Sequence, residues 1–179
     1  MAVLTRIETP VGTIIASSDG QSLTGLWFEG QKYECAFVEN PVWDDSLPLW
    51  KNVKTALEAY FQGEGDIVST VPIAFAGGTP FQKAVWAVLT EIPYQTLWTY
   101  KEVAERVGEK LGRKTSSRAV GTAIGRNPIS LFVPCHRVVA TTGALTGYAG
   151  GVGRKRALLT LEGHCVTEDK VLKGERYEA

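Results

Sequence analysis

Short runs of alternating apolar and polar residues fill the first third of the chain: Leu4 to Glu8, Gly12 to Ser17 and Leu23 to Phe28. Thr9-Pro10 and Asp19-Gly20 punctuate them as turns, so the pattern predicts a strand meander. After Pro48 the period changes. Trp50, Val53, Leu57 and Tyr60 or Phe61 recur at helical spacing with Gly63 as the stop, which predicts one helix against the small sheet. A further strand is expected over Ile67 to Ile73, and Ala76-Gly77-Gly78-Thr79-Pro80 reads as an interdomain linker.

Beyond that linker the periodicity is helical. Thr79 caps and Pro80 opens a helix in which Phe81, Val85, Trp86 and Leu89 form one stripe, ending near Ile92-Pro93. Thr99 caps a second helix, Tyr100 to Val107, closed by Gly108. A polar stretch, Glu109 to Lys114, precedes Thr115 or Ser116 as the cap of a third. Two short helices joined in this way form a helix-turn-helix pattern. At about 100° per residue, Ala119, Val120, Ala123 and Ile124 cluster on one side of the third helix, and Arg118, Gly121, Thr122 and Gly125 share the other. Glycine inside a helix costs about 1 kcal/mol relative to alanine. Tight helix packing or close approach of a nucleic-acid backbone would each explain two of them, and both readings stay open. The second would also leave Arg118 free to reach into a duplex.

Charge sharpens the picture. The chain is neutral overall, yet residues 1–80 hold 4 Lys and Arg against 10 Asp and Glu, and residues 101–165 hold 11 against 4. A half with a net charge of +7 suits a polyanionic partner. With 179 residues, 44% of them hydrophobic, the chain can bury a core in one large or two small domains. Charge and proline come too early in Met1 to Pro10 for a signal peptide, and no apolar run approaches the roughly 20 residues of a membrane span. A cytoplasmic or nucleoid location, away from membranes, is expected. Three cysteines, Cys35, Cys135 and Cys165, are an odd count without a secretory signal, so free thiols are the default.

The apolar run from Asn127 to Val139 contains Pro134-Cys135-His136-Arg137. A lone cysteine in such a run is more often inert core. Here His136 and Arg137 would both lower its pKa and raise its nucleophilicity. In an extended segment neighbouring side chains point to opposite faces, so His136 is expected to reach Cys135 through a water. Orientation of the histidine calls for a carboxylate. Glu162 is the candidate, at the end of a helix running from Arg154, after the glycine-rich Thr146 to Gly151.

Val133-Pro134-Cys135-His136-Arg137-Val138, preceded by Asn127-Pro128 and followed by Gly147-Tyr148-x-Gly150-Gly151-x-x-x-Lys155-x-x-Leu158-Leu159-x-x-Glu162, resembles the O6-alkylguanine-DNA alkyltransferase family. The likeness is strong over residues 79–163 and extends to the N-terminal part only in general layout. It implies an α+β or α/β fold with a small N-terminal domain of ribonuclease-H-like layout over residues 1–78. A mainly helical winged helix-turn-helix domain over residues 79–165 and a tail of 166–179 would follow.

The resemblance makes Cys135 the single-use alkyl acceptor, His136 its water-linked base and Glu162 the partner of His136. Tyr100 helps swing the target nucleotide out and can protonate the leaving purine, and Arg118 takes the nucleotide's place in the duplex. Asn127 joins the recognition helix to the active-site segment, while Val138, Tyr148, Ala149 and Lys155 line or support the alkyl pocket. Lys101, Thr122 and Thr141 are further DNA contacts. Double-stranded DNA carrying O6-alkylguanine, and O4-alkylthymine as a second lesion, is the implied substrate. A flipped nucleotide suits this chemistry, since the target carbon projects from a stacked base. Neither metal nor cofactor is needed. A monomer is expected, with cooperative binding on DNA left open.

The stretch Gly108 to Thr115 is longer than the family usually carries between these two helices. Cys35 is the single cysteine of the N-terminal part and no histidine precedes His136, which argues against the zinc of some relatives. Three competing readings stand beside repair. One is a damage sensor without chemistry, in which tryptophan would replace the cysteine. The second is a cysteine hydrolase, which would need an oxyanion hole. The third is a zinc site from Cys135-His136 and His164-Cys165, whose adjacent ligands lack the usual spacer.

Overall fold

Three strands form where the alternation predicts them: β1 (Ala2–Thr9), β2 (Gly12–Ser18) and β3 (Leu23–Phe28). They pair antiparallel in sequence order, with Ile7 opposite Ile14 and Ala16 opposite Leu26. A fourth strand not anticipated from the sequence, β4 (Pro41–Trp43), adds parallel to the start of β1, giving the order β3-β2-β1-β4. Helix α1 (Leu49–Phe61) buries Trp50, Val53, Leu57 and Tyr60, the helical stripe read from the sequence. Our computed structural model describes residues 1–172 of the chain.

Ile67 to Ile73 does not form the expected strand. The segment is a series of turns and meets the sheet at a single bridge, Leu23 with Ile73. Two short extended pieces cover the free edge of β3 instead: the Leu23 amide donates to the Pro72 carbonyl at 2.9 Å, and the Leu26 amide to the Pro128 carbonyl at 2.8 Å. All six residues of β3 are consequently buried, which the alternation of a half-exposed strand would not predict.

The chain's contacts divide into two units, Met1–Gly78 with Pro128–Phe132, and Thr79–Asn127 with Val133 onward. Five residues from the middle of the apolar run therefore belong to the sheet unit. They do so because the Ser130 amide donates to the Leu26 carbonyl at 3.0 Å beside the bond from the Leu26 amide to the Pro128 carbonyl.

The second unit opens on α2 (Pro80–Leu89), whose Thr79 forms a reciprocal capping box with Gln82. Helix α3 (Tyr100–Leu111) is capped by Thr99 as expected but runs a turn past Gly108. It ends on Gly112, which takes the left-handed conformation at φ 69°. Gly108 earns its place differently: a side chain there would meet the Arg113 carbonyl at 2.8 Å, because the chain folds back along α3. Ser116 caps α4 (Ser117–Ile124), which turns Val120, Ala123 and Ile124 inward. Ala119, expected on that buried side, is exposed.

Helix α4 is pinned to α2 by the Trp86 indole, whose Nε1 donates to the Ala123 carbonyl at 2.9 Å. Two short parallel strands, β5 (Trp98–Thr99) and β6 (Val138–Val139), and helix α5 (Val152–Leu161) complete the unit. Of the expected tail, residues 166–172 are docked: the Val171 amide donates to Gly143 at 2.9 Å and its side chain is buried against Leu97, Val139 and Leu159. The rest of that tail, 173–179, lies outside the described residues. No helix among the described residues is long and apolar enough to cross a membrane.

Candidate active site

Cys135 does not sit in an extended strand. Pro134 introduces a single 3-10 turn, Cys135–Arg137, so the three side chains fan out around a tight bend and the expected opposite-face alternation does not apply. Proline cannot donate and the Cys135 amide is taken by the Val133 carbonyl at 2.7 Å, so regular pairing is interrupted here and resumes at β6. Cys135 is 7% exposed and its neighbours His136 and Arg137 are sealed from solvent.

His136 and Glu162 meet as the triad logic requires, His136 Nε2 lying 2.6 Å from Glu162 Oε2. Glu162 reaches it from the C-terminal cap of α5 and is itself fully buried, not an exposed helix-end glutamate. Arg137, expected to lend positive charge to the thiol, turns to the carboxylate instead. Its Nε donates to Glu162 Oε1 at 2.8 Å and its Nη1 to the Ile92 carbonyl at 3.1 Å. This alignment was not visible in the sequence, because a buried arginine immediately after a histidine carries no periodic signature.

Burial would raise the Glu162 pKa, but the charges and hydrogen bonds of His136 and Arg137 outweigh it and hold the carboxyl well below the usual carboxylate range. Burial pushes His136 the other way, below its ordinary value. The pair at neutral pH is therefore an ionised Glu162 beside a neutral imidazole, with Arg137 as the compensating cation.

The thiol's own partners are different. Burial pushes the Cys135 pKa up, while the Asn127 amide, the Lys155 ammonium and the backbone amides of Cys135 and His136 pull it down. Asn127 also donates from Nδ2 to the Val133 carbonyl at 2.9 Å. That bond ties together the two points where the chain leaves and re-enters the second unit. Lys155, 1% exposed, donates to the carbonyls of Val138 at 2.6 Å and Thr146 at 3.2 Å. Its burial, opposed by the nearby Cys135, brings its pKa down to about 8. The Tyr100 hydroxyl donates to the same Thr146 carbonyl at 2.8 Å. Thr146, which carried no signal as a site residue, thus gathers Tyr100 and Lys155 through one backbone oxygen.

Cys135, His136, Glu162, Asn127, Lys155, Tyr100 and Val138 are in this way linked by bonds or charge. Tyr148 and Ala149 are half-buried in the glycine-rich stretch that precedes α5. Arg118, Lys101, Thr122 and Thr141 are exposed instead. Arg118 stands in the first turn of α4, and the Thr122 hydroxyl donates back to the Arg118 carbonyl at 3.1 Å. The glycine question of α4 also resolves locally: a methyl at Gly121 would lie 3.7 Å from the Tyr100 ring, and one at Gly125 3.5 Å from the Thr122 carbonyl, ordinary contacts both. Packing within the unit does not demand glycine at either position.

Burying Arg137, Lys155 and Glu162 leaves residues 101–165 with 9 cations against 3 carboxylates that are not buried. The positive character of the unit thus survives folding.

The model of the family described as 6-O-methylguanine DNA methyltransferase, DNA binding domain, matches residues 80–164, and that of the corresponding ribonuclease-like domain matches residues 3–75. A Haemophilus influenzae protein called methylated-DNA–protein-cysteine methyltransferase is 42% identical over 160 residues, covering 88% of this chain and 84% of its own length. One of the same name from Shigella flexneri is 51% identical over 175 residues, covering 89% and 94%. Among solved structures, Mycobacterium tuberculosis OGT in complex with DNA is 38% identical with a TM-score of 0.79, covering 89% of this chain and 92% of that one. With both domains matched in order and relatives aligned over most of their length, this chain belongs to the 6-O-methylguanine DNA methyltransferase family.

Proposed function

We propose that the protein repairs DNA by direct reversal, moving the alkyl group of O6-alkylguanine irreversibly to Cys135, one group per chain. The observation that carries this reading is the constellation around the thiol: a buried Cys135 whose pKa the Asn127 amide and the Lys155 ammonium pull down, followed by a histidine whose Nε2 is engaged by Glu162 at 2.6 Å. The name shared by relatives up to 51% identical supports it.

The chemistry balances without a cofactor. Cys135 gives its proton to His136 through a water, the sulfur's electron pair forms the S–C bond to the alkyl carbon, and the O6–C pair leaves with guanine. Tyr100 supplies a proton to the purine; burial pushes its phenol pKa up, which keeps the hydroxyl protonated and supports this role. Lys155 and Asn127 stabilise the thiolate as it forms. Burial otherwise holds the thiol protonated, so the resting protein keeps a nucleophile that is activated at the moment of transfer. Val138, Tyr148 and Ala149 form the apolar side of the pocket for the alkyl group.

DNA is bound through the helix-turn-helix, α3 and α4. The structure of the 38% identical Mycobacterium tuberculosis protein with DNA supports this. Exposed Arg118, Lys101, Thr122 and Thr141 face the duplex, with Arg118 entering the stack as the lesion is flipped out. Gly121 and Gly125, free of crowding inside the protein, let the backbone of α4 approach the nucleic acid. The protein acts as a monomer, on alkylated guanine and also on O4-alkylthymine.

Incubation with a duplex containing O6-methylguanine tests the reading. Loss of the lesion that stops at one equivalent per protein chain is expected. Tight binding with the lesion left intact would make the protein a damage sensor instead.

A further inference from the structure

The 2.6 Å separation of His136 Nε2 and Glu162 Oε2 does not by itself say which atom carries the proton. Arg137 supplies the missing constraint. It is fully buried, donates from Nε to Glu162 Oε1 at 2.8 Å and from Nη2 to Oε2 at 3.4 Å. The Ile92 carbonyl accepts from Nη1 at 3.1 Å and the Tyr94 ring lies 5.5 Å from the guanidinium carbon, so the planar group is held from several sides. Arginine does not lose its proton in proteins, and a sealed guanidinium requires a counter-charge. Glu162 provides it by staying ionised. An ionised carboxylate only accepts hydrogen bonds, so His136 Nε2 must be the donor and the ring's lone pair must sit on Nδ1.

We propose that Arg137 is a positioning residue that, through Glu162, fixes His136 in its Nε2–H tautomer and so makes Nδ1 the atom that receives the Cys135 proton. The last step rests on the alkyl-transfer reading; the tautomer does not. In that step the S–H bond breaks, a relaying water takes the proton and gives up one of its own, and an Nδ1–H bond forms. The imidazolium that results keeps its Nε2–H on Glu162.

The charged groups that act on His136 are Lys155 from α5, Glu162 from its C-terminal cap and Arg137 from the turn of His136 itself. Burial lowers the proton affinity of the ring most, Glu162 raises it, and Arg137 and Lys155 lower it again. Arg137 therefore serves twice, setting the tautomer and keeping the ring neutral so that it can accept.

The test uses the full chain labelled with nitrogen-15 in its histidines, of which there are two. Ring nitrogens are observed by NMR at neutral pH, with His136→Gln to assign the signals, in the native protein, Arg137→Gln and Arg137→Lys. The rate of methyl transfer is followed against pH in parallel. The native His136 is expected with its proton on Nε2. Arg137→Gln should move the ring towards the Nδ1–H tautomer or the imidazolium and shift the acidic limb of the rate profile to higher pH. Transfer at neutral pH should slow by about tenfold or more, up to the roughly 10²–10⁴-fold that a general base contributes. Arg137→Lys should restore both readouts in part.

A native His136 found as Nδ1–H or as imidazolium at neutral pH overturns the proposal, and this arm needs no variant to fold. So does an Arg137→Gln protein that keeps both the native tautomer and the native pH profile. A native chain that transfers no methyl group refutes the repair reading alone, since the tautomer is still measured.

Discussion

His136 Nε2 and Glu162 Oε2 lie 2.6 Å apart with both side chains at 0% exposure, a neutral imidazole held against a buried carboxylate. Burial holds His136 below its ordinary pKa of 6.5, and His136 with Arg137 holds Glu162 below its ordinary 4.5 against the opposing effect of burial. Both groups therefore bind more protons unfolded than folded. Their contribution is fully present above pH 6.5; the His136 part begins to be lost as the pH falls below 6.5 and the Glu162 part as it falls below 4.5, each loss continuing down to the group's lower folded pKa. Urea midpoints should drop in those two stages, and Glu162→Gln should abolish the lower one. That variant should also lose about 3–5 kcal/mol at neutral pH, because Arg137 is left buried without its counter-charge.

Lys155 acts on the thiol through its charge. Removing the ammonium in Lys155→Met deletes one of the effects that pull the Cys135 pKa down. The pH at which Cys135 begins to react with iodoacetamide should rise, measured in a background lacking Cys35 and Cys165. An unchanged profile would confine Lys155 to holding the Val138 and Thr146 carbonyls.

Arg118 is exposed, so its loss should leave folding within about 0.5 kcal/mol of the native value. In the proposed function its effect belongs to DNA. Arg118→Ala should slow transfer from duplex DNA far more than transfer from free O6-methylguanine base. If Arg118 also neutralises a phosphate, the slope of log affinity against log salt should fall by about 1.

Gly121 separates stability from binding. Gly121→Ala should raise stability by about 1 kcal/mol, as expected for a helix interior without crowding. Gly121→Leu should fold yet weaken duplex binding by about tenfold, or about 1.4 kcal/mol. Unimpaired binding by Gly121→Leu would remove α4 from the interface.

The sequence made the meander, α1 and the caps of α2, α3 and α4 legible, because strand alternation, helical stripes and cap residues are local signals. Thr79, Thr99 and Ser116 cap where expected. Ile67 to Ile73 was misread because its apolar residues serve as packing within turns: Ile67 is fully buried without belonging to a strand. The edge partners of β3 were illegible for a different reason. They come from residues 72–74 and 128–130, too short and too far apart in the chain to show a period. Helix α3 was drawn too short at Gly108, since a glycine that admits the Arg113 carbonyl looks the same in sequence as one that ends a helix.

Cys135, His136 and Glu162 were found together because reactive chemistry restricts residue types. Arg137 was placed beside the thiol by its position in the chain. The 3-10 turn sends it to Glu162 instead.

The most direct measurement is peptide-level mass spectrometry of the protein after incubation with duplex DNA containing O6-methylguanine. One methyl group on the peptide that carries Cys135, fragmenting to that residue, and none on Cys35, Cys165 or any part of Cys135→Ala, is the predicted result. A native chain that clears the lesion while Cys135 stays unmodified would contradict the account.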